Sequence, residues 1–88
     1  VSKMAFIISD SSEEIAQQLM SQADRGVTAL RGQGMYTRQE KNVLLCVFPQ
    51  KDITLVKEIV RQADPKAFVM LTDVREVLGE GFQALENR

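Results

Sequence analysis

Apolar residues recur along the chain at two spacings, one typical of strands and one typical of helices. Residues 4–9 form a short β-rich run that ends in polar residues favouring a helix start. Apolar positions then recur three and four residues apart, which predicts an amphipathic helix through Ile15 and Leu19. Ser11 and Glu14 fit a capping box at its start, and we expect Gly26 to end it in the left-handed conformation.

The middle of the chain predicts two strands joined by a glycine-containing connection. Residues 27–30 are strand-like, but Gly32 and Gly34 interrupt the pattern and predict a bulge, a bend or a flexible turn. Residues 43–48 are an unbroken apolar run that ends at Pro49. This run predicts a central strand.

The last third predicts a helix and a strand. Residues 52–63 return to helical spacing, and Asp64 and Pro65 stop the helix. Residues 67–71 predict a fourth strand, and residues 73–78 predict a short terminal helix.

The predicted order is strand, helix, strand, strand, helix, strand, which is the ferredoxin-like βαββαβ arrangement. We therefore predict the α+β class: a ferredoxin-like two-layer sandwich with a short C-terminal helix. Neither a linker nor a repeat interrupts the chain, so residues 1–88 predict a single domain.

The predicted strands lack the alternation expected of a sheet with one solvated face. Val43, Leu45 and Val47 point one way, yet the residues between them are apolar too, and residues 5–8 and 68–71 repeat the pattern. A sheet of this kind exposes more apolar area than the few hundred Å² that monomers tolerate. We expect a second copy to cover it, making the domain a homo-oligomer. The alternatives are a neighbouring domain of a longer chain, or a C-terminal segment that folds back with Val77, Leu78, Phe82 and Leu85.

Composition narrows the available chemistry. The formal net charge of −1 gives no general attraction to nucleic acid, and no run approaches the roughly 20 apolar residues that span a bilayer. The chain has no histidine and one cysteine, which removes the common metal sites and the histidine-dependent triads. We therefore expect no cofactor, no metal, no nucleic-acid partner and no enzymatic activity. The start at Val1 leads us to expect a piece excised from a longer protein.

Cys46 lies within the central apolar strand, and two interpretations follow. A thiol buried beside no base has a raised pKa and is inert, so we expect Cys46 to pack in the core. The alternative, an activated thiol, would be needed for an enzymatic role.

The segment from Arg25 to Lys41 combines glycines, basic residues, hydroxyls and one aromatic ring. Glycines let backbone N–H groups approach an anion, arginines hold phosphate in a fork, and a tyrosine ring stacks on a base. The pattern predicts a site for a nucleotide or another small anion, although no phosphate-binding fingerprint accompanies it. The alternative is a bulged hairpin whose basic residues are solvated. The candidate ligand-binding residues are Arg25, Thr28, Arg31, Gly32, Gly34, Tyr36 and Lys41.

Two glycines flank Glu80 just before Phe82. The pattern predicts a defined turn that docks Phe82 on the core or on a partner, and the alternative is a frayed end.

Together these segments resemble the C-terminal cytosolic domain of the YitT-type bacterial membrane proteins. The resemblance covers nearly the whole chain and is carried by the motifs RG-x-T, G-x-G-x-Y, the lysine after the hairpin, DP-x-AF and a final G-x-GF. The matching residues are Arg25, Gly26, Thr28, Gly32, Gly34, Tyr36, Lys41, Asp64, Pro65, Ala67, Phe68, Gly79, Gly81 and Phe82.

The resemblance implies a parent protein with several N-terminal transmembrane helices. It implies that this piece is the cytoplasmic domain of a bacterial inner membrane protein and meets the membrane only through its parent. The family's domain is similar at fold level to PII-type signalling proteins, which assemble through sheets and bind nucleotides near the loop between their second and third strands. That loop is short here.

These expectations combine into one hypothesis and one alternative. The domain is expected to be a non-catalytic regulatory module that oligomerises through its sheet and senses a small anionic ligand such as a nucleotide. The alternative is a purely structural oligomerisation domain of a membrane protein, with no ligand.

Overall fold

The computed structural model describes residues 1–84 and contains four strands and two helices in the predicted order. A single 3-10 turn, Gln50–Asp52, precedes the second helix. The elements are β1 (Ser2–Ile8), α1 (Ser12–Gln22), β2 (Thr28–Gln33), β3 (Glu40–Pro49), α2 (Ile53–Ala63) and β4 (Phe68–Val74).

The strands form one sheet in the order β2-β3-β1-β4, and each neighbouring pair is antiparallel. The two helices pack on the same face of this sheet, where Ile15 and Leu19 of α1 and Val56 of α2 join the buried core. This is the ferredoxin-like α+β sandwich that the order of elements predicted.

The core lies between the helices and one face of the two central strands. Ala5 and Ile7 of β1 and Phe48 of β3 are fully buried there, and Leu44 and Cys46 are 3% and 1% exposed. The register places these residues side by side, because Ala5 is opposite Cys46 and Ile7 is opposite Leu44. The predicted core position of Cys46 is confirmed.

The opposite face of the sheet is also apolar, as the missing alternation predicted. Side chains at alternate strand positions lie on it in register, with Phe6 opposite both Leu45 and Met70. Neither helix covers them. We call this surface the open face and define it by Met4, Phe6, Ile8, Leu30, Val43, Leu45, Val47, Phe68 and Met70.

Helix α1 starts at the predicted place through a different contact. Ser11 occupies the N-cap position, but its side chain makes no capping hydrogen bond. Its backbone N–H instead donates to the Oγ of Ser9 at 2.8 Å, and the Ser9 hydroxyl donates to Oδ2 of Asp64 at 2.5 Å. The predicted capping box with Glu14 is therefore wrong: a side chain from the end of β1 meets the helix start and links it to the end of α2.

The end of α1 also differs from the prediction. The N–H of Ala23 donates to the carbonyl oxygen of Leu19 at 3.1 Å, and the N–H of Arg25 donates to the same oxygen at 3.4 Å. The left-handed residue is Asp24, with φ of 56°, and not Gly26. Aspartate tolerates this conformation better than most residues, which explains how it substitutes for glycine.

The predicted terminal helix over residues 73–78 is wrong. Strand β4 continues to Val74, because β1 begins at Ser2 and offers partners for Thr72, Asp73 and Val74. An ion pair of 2.5 Å between Lys3 and Asp73 supports this extension.

The chain then forms a turn over residues 78–83, which we call the C-terminal turn. Gly79 and Gly81 have φ of 131° and 88°, values that favour glycine. The N–H of Phe82 donates to the carbonyl oxygen of Gly79 at 3.0 Å, so the predicted defined turn is confirmed. Leu85, which was also predicted to help cover the apolar face of the sheet, lies outside the described residues.

Candidate functional site

The seven candidate ligand-binding residues are spread over β2, the segments on either side of it and the start of β3, and they do not converge on one cavity. Arg25 and Thr28 are at the start of the strand, whereas Gly34 and Tyr36 belong to the turn beyond its end. At about 3.3 Å per strand residue, Thr28 and Gly34 are roughly 20 Å apart. A ligand the size of a nucleotide therefore cannot contact both groups in one copy of the domain.

At the far end, the glycine segment forms a tight hairpin turn. The N–H of Gly34 donates to the carbonyl oxygen of Gln39 at 2.8 Å, and the N–H of Arg38 donates to that of Gly34 at 2.7 Å. A Cβ at Gly34 would lie 3.0 Å from Oγ1 of Thr37, so a larger residue is crowded there. Tyr36 is completely exposed. This geometry favours the hairpin interpretation for this half of the segment.

The two basic residues in the middle of the set already contact carboxylates. Nη2 of Arg31 lies 2.9 Å from a carboxylate oxygen of Glu40, its neighbour across the hairpin. Nζ of Lys41 lies 3.4 Å from Oδ1 of Asp10, after β1. Both pairs are exposed. In each pair the carboxylate already neutralises a positive charge that the predicted site would use to bind a phosphate.

Lys41 also lines a cavity of about 290 Å³ at the end of β1, with Ser9, Asp64 and Lys66 among its walls. Its polar groups bond to one another, because Asp64 accepts the Ser9 hydroxyl and also the backbone N–H of Lys66 at 2.9 Å. The hydrogen bonds from Ser9 and Lys66 lower the pKa of the Asp64 carboxyl. This cluster ties β1 to the loop after α2, and we assign it a structural role.

At the near end of β2, Arg25 and Thr28 line a groove of about 520 Å³ on the open face. Leu45 and Val47 of β3 form its apolar part, and the C-terminal turn stands at its side with Phe82. We call this cavity the turn groove, and its lining is Asp24, Arg25, Gly26, Thr28, Leu45, Val47, Glu80, Gly81 and Phe82.

Arg25 is the central polar residue of the turn groove. Its guanidinium carbon lies 5.0 Å from the centroid of the Phe82 ring, a cation–π distance that links the loop after α1 to the C-terminal turn. Its Nε is shielded from solvent and has no hydrogen-bond partner within residues 1–84. A buried donor without a partner is costly, so this atom is the clearest unmet polar group in the described part of the chain.

Sequence reasoning found Arg25 and Thr28 but missed the acidic and apolar lining of the turn groove. Leu45 and Val47 were assigned to the open face, and Phe82 to a docked turn. Asp24 lies at the end of the predicted first helix and Glu80 lies within the predicted turn, so the sequence pattern singles out neither carboxylate. The signal that connects them is the pair of RG and G-x-GF motifs, which the fold brings together although they are about 55 residues apart.

The single cysteine offers no activated nucleophile. Burial raises the pKa of the Cys46 thiol to about 11, although the charge of Arg25 opposes this rise. The thiol is therefore protonated at neutral pH. Within residues 1–84, no group of three or more potential metal ligands converges.

Comparison with known proteins identifies the family. Residues 25–79 match DUF2179, described as an uncharacterized protein conserved in bacteria. The chain belongs to the DUF2179 family. The match includes Arg25, Gly26, Thr28, Leu45 and Val47 of the turn groove, whereas Asp24, Glu80, Gly81 and Phe82 lie outside it.

Relatives of this DUF2179 chain carry membrane-protein names. It is 43% identical over 86 residues to the UPF0750 membrane protein YpjC of Bacillus subtilis, covering 98% of this chain and 30% of that protein. It is 25% identical over 75 residues to the UPF0750 membrane protein YitT of the same organism, covering 85% of this chain and 27% of that protein. The resemblance to YitT-type proteins is confirmed, and the chain spans less than a third of the length of these two relatives.

A solved structure supports both the family and the fold. The crystal structure of a DUF2179 protein from Eubacterium ventriosum matches with a TM-score of 0.72 and 29% identity, covering 82% of this chain and 99% of that one. Neither helix within residues 1–84 is long and apolar enough to cross a membrane.

Proposed function

We propose that this DUF2179 domain is a non-catalytic regulatory domain on the cytoplasmic side of a bacterial membrane protein. In this proposal it self-associates through the open face and senses a small ligand with a negatively charged group. The membrane-protein names of the relatives support the first part. The observation that carries the proposed self-association is the uncovered apolar surface of the sheet.

The open face has the character of an interface core. Phe68 is 59% exposed, and Leu30 and Met70 are each 43% exposed, although all three lie on strands. They continue the apolar rows of the two central strands, since Phe68 is opposite Ile8 and Leu30 is opposite Val43. A contiguous apolar patch of this kind marks an interaction site in soluble domains.

The dimensions of the open face allow a weak contact between two copies of the domain. Four strands spaced about 4.8 Å apart, each about seven residues long, give a face of roughly 20 by 23 Å. This is smaller than the roughly 800 Å² per partner of a typical stable complex, so we expect association that depends on concentration. Two copies also present the same apolar rows to each other, and the charged side chain of Lys41, on the same side of β3, lies at the edge of these rows, where it pairs with Asp10.

The C-terminal turn limits where the second copy can pack. It lies beside Leu45 and Val47 at one end of the open face and leaves Phe68, Met70 and Leu30 exposed. The predicted fold-back of the C-terminal segment is therefore partial among the described residues. We place the self-association contact on the exposed part, centred on β4.

The test is solution mass by light scattering over a range of protein concentrations, comparing wild type with Met70→Lys. A lysine on the open face places a charge at the contact, so we expect the variant to remain a monomer where wild type associates. Met20→Lys is a matched control, because Met20 is 44% exposed and lies on α1, away from the open face. Equal behaviour of all three proteins would contradict the proposed contact.

The ligand-sensing part rests on the turn groove. Arg25 offers an unpartnered donor beside an apolar wall, a combination typical of small-molecule sites. The groove shares Leu45 and Val47 with the open face, so a bound ligand would change the surface available for assembly. A ligand that binds one assembly state better than the other shifts the balance between them.

The purely structural alternative has its own support. The hairpin at Gly34 and the occupied charges of Arg31 and Lys41 need no ligand to explain them. If assembly occurs and no small molecule changes the mass or the melting temperature, the domain is a structural oligomerisation module.

A further inference from the structure

The turn groove is lined by groups of both charges, which restricts the ligand it accepts. Arg25 shares the lining of the groove with two acidic residues, Asp24 and Glu80. None of the ion pairs found within residues 1–84 includes any of these three residues. Opposite charges therefore border one cavity without neutralising each other directly.

A purely anionic ligand fits this lining poorly. A phosphate or a nucleotide would meet one guanidinium and two carboxylates, and the like charges would repel it. A purely cationic ligand would be repelled by the positive charge of Arg25. A ligand with one negative and one positive group complements the lining.

The remaining lining is apolar. Leu45 and Val47 present aliphatic side chains from the sheet, and Phe82 presents a ring from the C-terminal turn. The cavity volume of about 520 Å³ falls within the range of small-molecule sites, about 300–1,000 Å³. The ligand therefore has an apolar body as well as its two charges.

The backbone holds the charged edges of the groove in unusual conformations. Asp24 has φ of 56° although it is not a glycine, and Gly81 has φ of 88° next to Glu80. A Cβ at Gly81 would lie 3.7 Å from Nη1 of Arg25, so the turn backbone passes close to the guanidinium.

We propose that the turn groove binds a small zwitterion with an apolar body, of which a free apolar α-amino acid is the simplest example. The carboxylate of the ligand accepts hydrogen bonds from the guanidinium of Arg25. The ammonium group donates to Asp24 or Glu80, and the side chain packs on Leu45 and Val47. This inference rests on the ligand-sensing part of the proposed function and specifies the class of ligand.

The first experiment compares ligands that differ in one charge. The domain is titrated calorimetrically with L-leucine, L-isoleucine, L-methionine and L-phenylalanine. Two analogues of leucine serve as chemical controls: 4-methylpentanoate lacks the ammonium group, and 3-methylbutylamine lacks the carboxylate. We expect at least one amino acid to bind, and each single-charge analogue of leucine to bind about tenfold more weakly or not at all. ATP and inorganic phosphate are included as anions.

The second experiment uses variants of the groove. Arg25→Gln removes the guanidinium, Arg25→Lys keeps the charge without the fork, and Asp24→Asn with Glu80→Gln removes both carboxylates. We expect each to weaken amino-acid binding by about tenfold or more. Arg75→Gln and Glu76→Gln are matched controls, because both residues are exposed and lie outside the groove lining. Circular dichroism confirms that each variant is folded, and asparagine at position 24 tolerates the left-handed backbone.

The outcomes separate this inference from the proposed function. Binding of ATP or phosphate through Arg25, without binding of any amino acid, would overturn the zwitterion and leave ligand sensing intact. Equal binding of leucine and 4-methylpentanoate would also overturn it, since the carboxylates would then have no part. If none of the probes binds, both the inference and the sensing role are overturned. Self-association would still be decided by the solution mass.

Discussion

The two faces of the sheet are built from the same strands and nearly the same residue types, yet they differ in burial. On the helix-covered face Phe48 is fully buried and Leu44 is 3% exposed. On the open face Phe68 is 59% exposed and Met70 is 43% exposed. Apolar character alone therefore does not decide which face forms the core; the positions of the two helices decide it.

The difference separates residues that stabilise the fold from residues available for assembly. A fully buried side chain contributes its transfer free energy and its packing to the folded monomer. A half-exposed one contributes little until a partner covers it. The predictions below test this division, from the largest expected effect to the smallest.

The largest effect is expected from removing a phenylalanine from each face. Phe48→Ala leaves a cavity in the core and should lower the free energy of unfolding by about 3–5 kcal/mol, a large part of the total for a domain of this size. Phe68→Ala removes an exposed ring and should cost within about 1 kcal/mol. Urea denaturation at low protein concentration measures both. Similar losses in the two variants would contradict the division between the faces.

The order of elements was predictable because each helix and each central strand carries a clear apolar period. The bounds of the strands were less predictable than their order, because β3 begins at Glu40 and β4 ends at Val74, beyond their apolar runs. Most of these added residues are polar, and they join the strands through pairing with neighbours. Thr72 to Val74 join the sheet because β1 supplies partners, and this pairing excludes the predicted helix.

The candidate site was only partly predictable. The sequence groups Arg25 with Tyr36 because they are close in the chain, whereas an extended strand separates them in space. The turn groove instead joins Arg25 to Phe82, a contact between distant segments that periodicity does not reveal. Its two carboxylates look like ordinary helix-end and turn residues until the fold places them beside Arg25.

The second prediction compares thiols on the two faces. Cys46 is 1% exposed and its pKa is raised to about 11 by burial, so it should react slowly with a disulfide reagent at pH 8. Met70→Cys, made together with Cys46→Ala, places an ordinary thiol on the open face. The difference in thiolate fraction alone predicts a rate on the order of 100-fold higher for the open-face thiol.

The same thiol experiment has an internal check. Raising the protein concentration should slow the reaction of the Met70→Cys variant, because association covers the open face. Adding urea should bring Cys46 of the wild type to the rate of an unfolded thiol. Rapid reaction of Cys46 in the folded protein would contradict its inert position and would reopen the enzymatic alternative.

The third prediction concerns dilution. If the open face associates, the folded state gains stability from its partner, and the melting temperature depends on protein concentration. We expect a fall of about 3–5 °C for each tenfold dilution in the range where wild type is associated. Met70→Lys should melt at one temperature throughout, and Met20→Lys should follow wild type. A melting temperature of wild type that is independent of concentration would contradict self-association.

The smallest effect is expected at the polar end of the helix-covered face, where Ser9 meets Asp64; the open face has no such polar contact among its own residues. The Ser9 hydroxyl and the Lys66 N–H lower the pKa of Asp64 in the folded state. A lowered folded-state pKa stabilises the protein above the unfolded value, near 3.9, and this stabilisation disappears as the pH falls through the folded pKa. Asp64→Asn should therefore have a lower free energy of unfolding than wild type at pH 6, and this difference should become smaller below pH 4.

Ser9→Ala provides the companion variant for this pH measurement. In a protein that carries Ser9→Ala, the loss of stability caused by Asp64→Asn should depend less on pH. The reason is that the hydrogen bond from Ser9, the largest cause of the lowered pKa, is already absent. Asp64 is exposed enough for solvent to weaken the interaction, which is why this effect comes last in size. Chemical denaturation of the four proteins between pH 3 and pH 6 measures the coupling. A gap between wild type and Asp64→Asn that stays constant over this range would show that Asp64 supports the end of β1 through its shape and hydrogen bonding alone, without its charge.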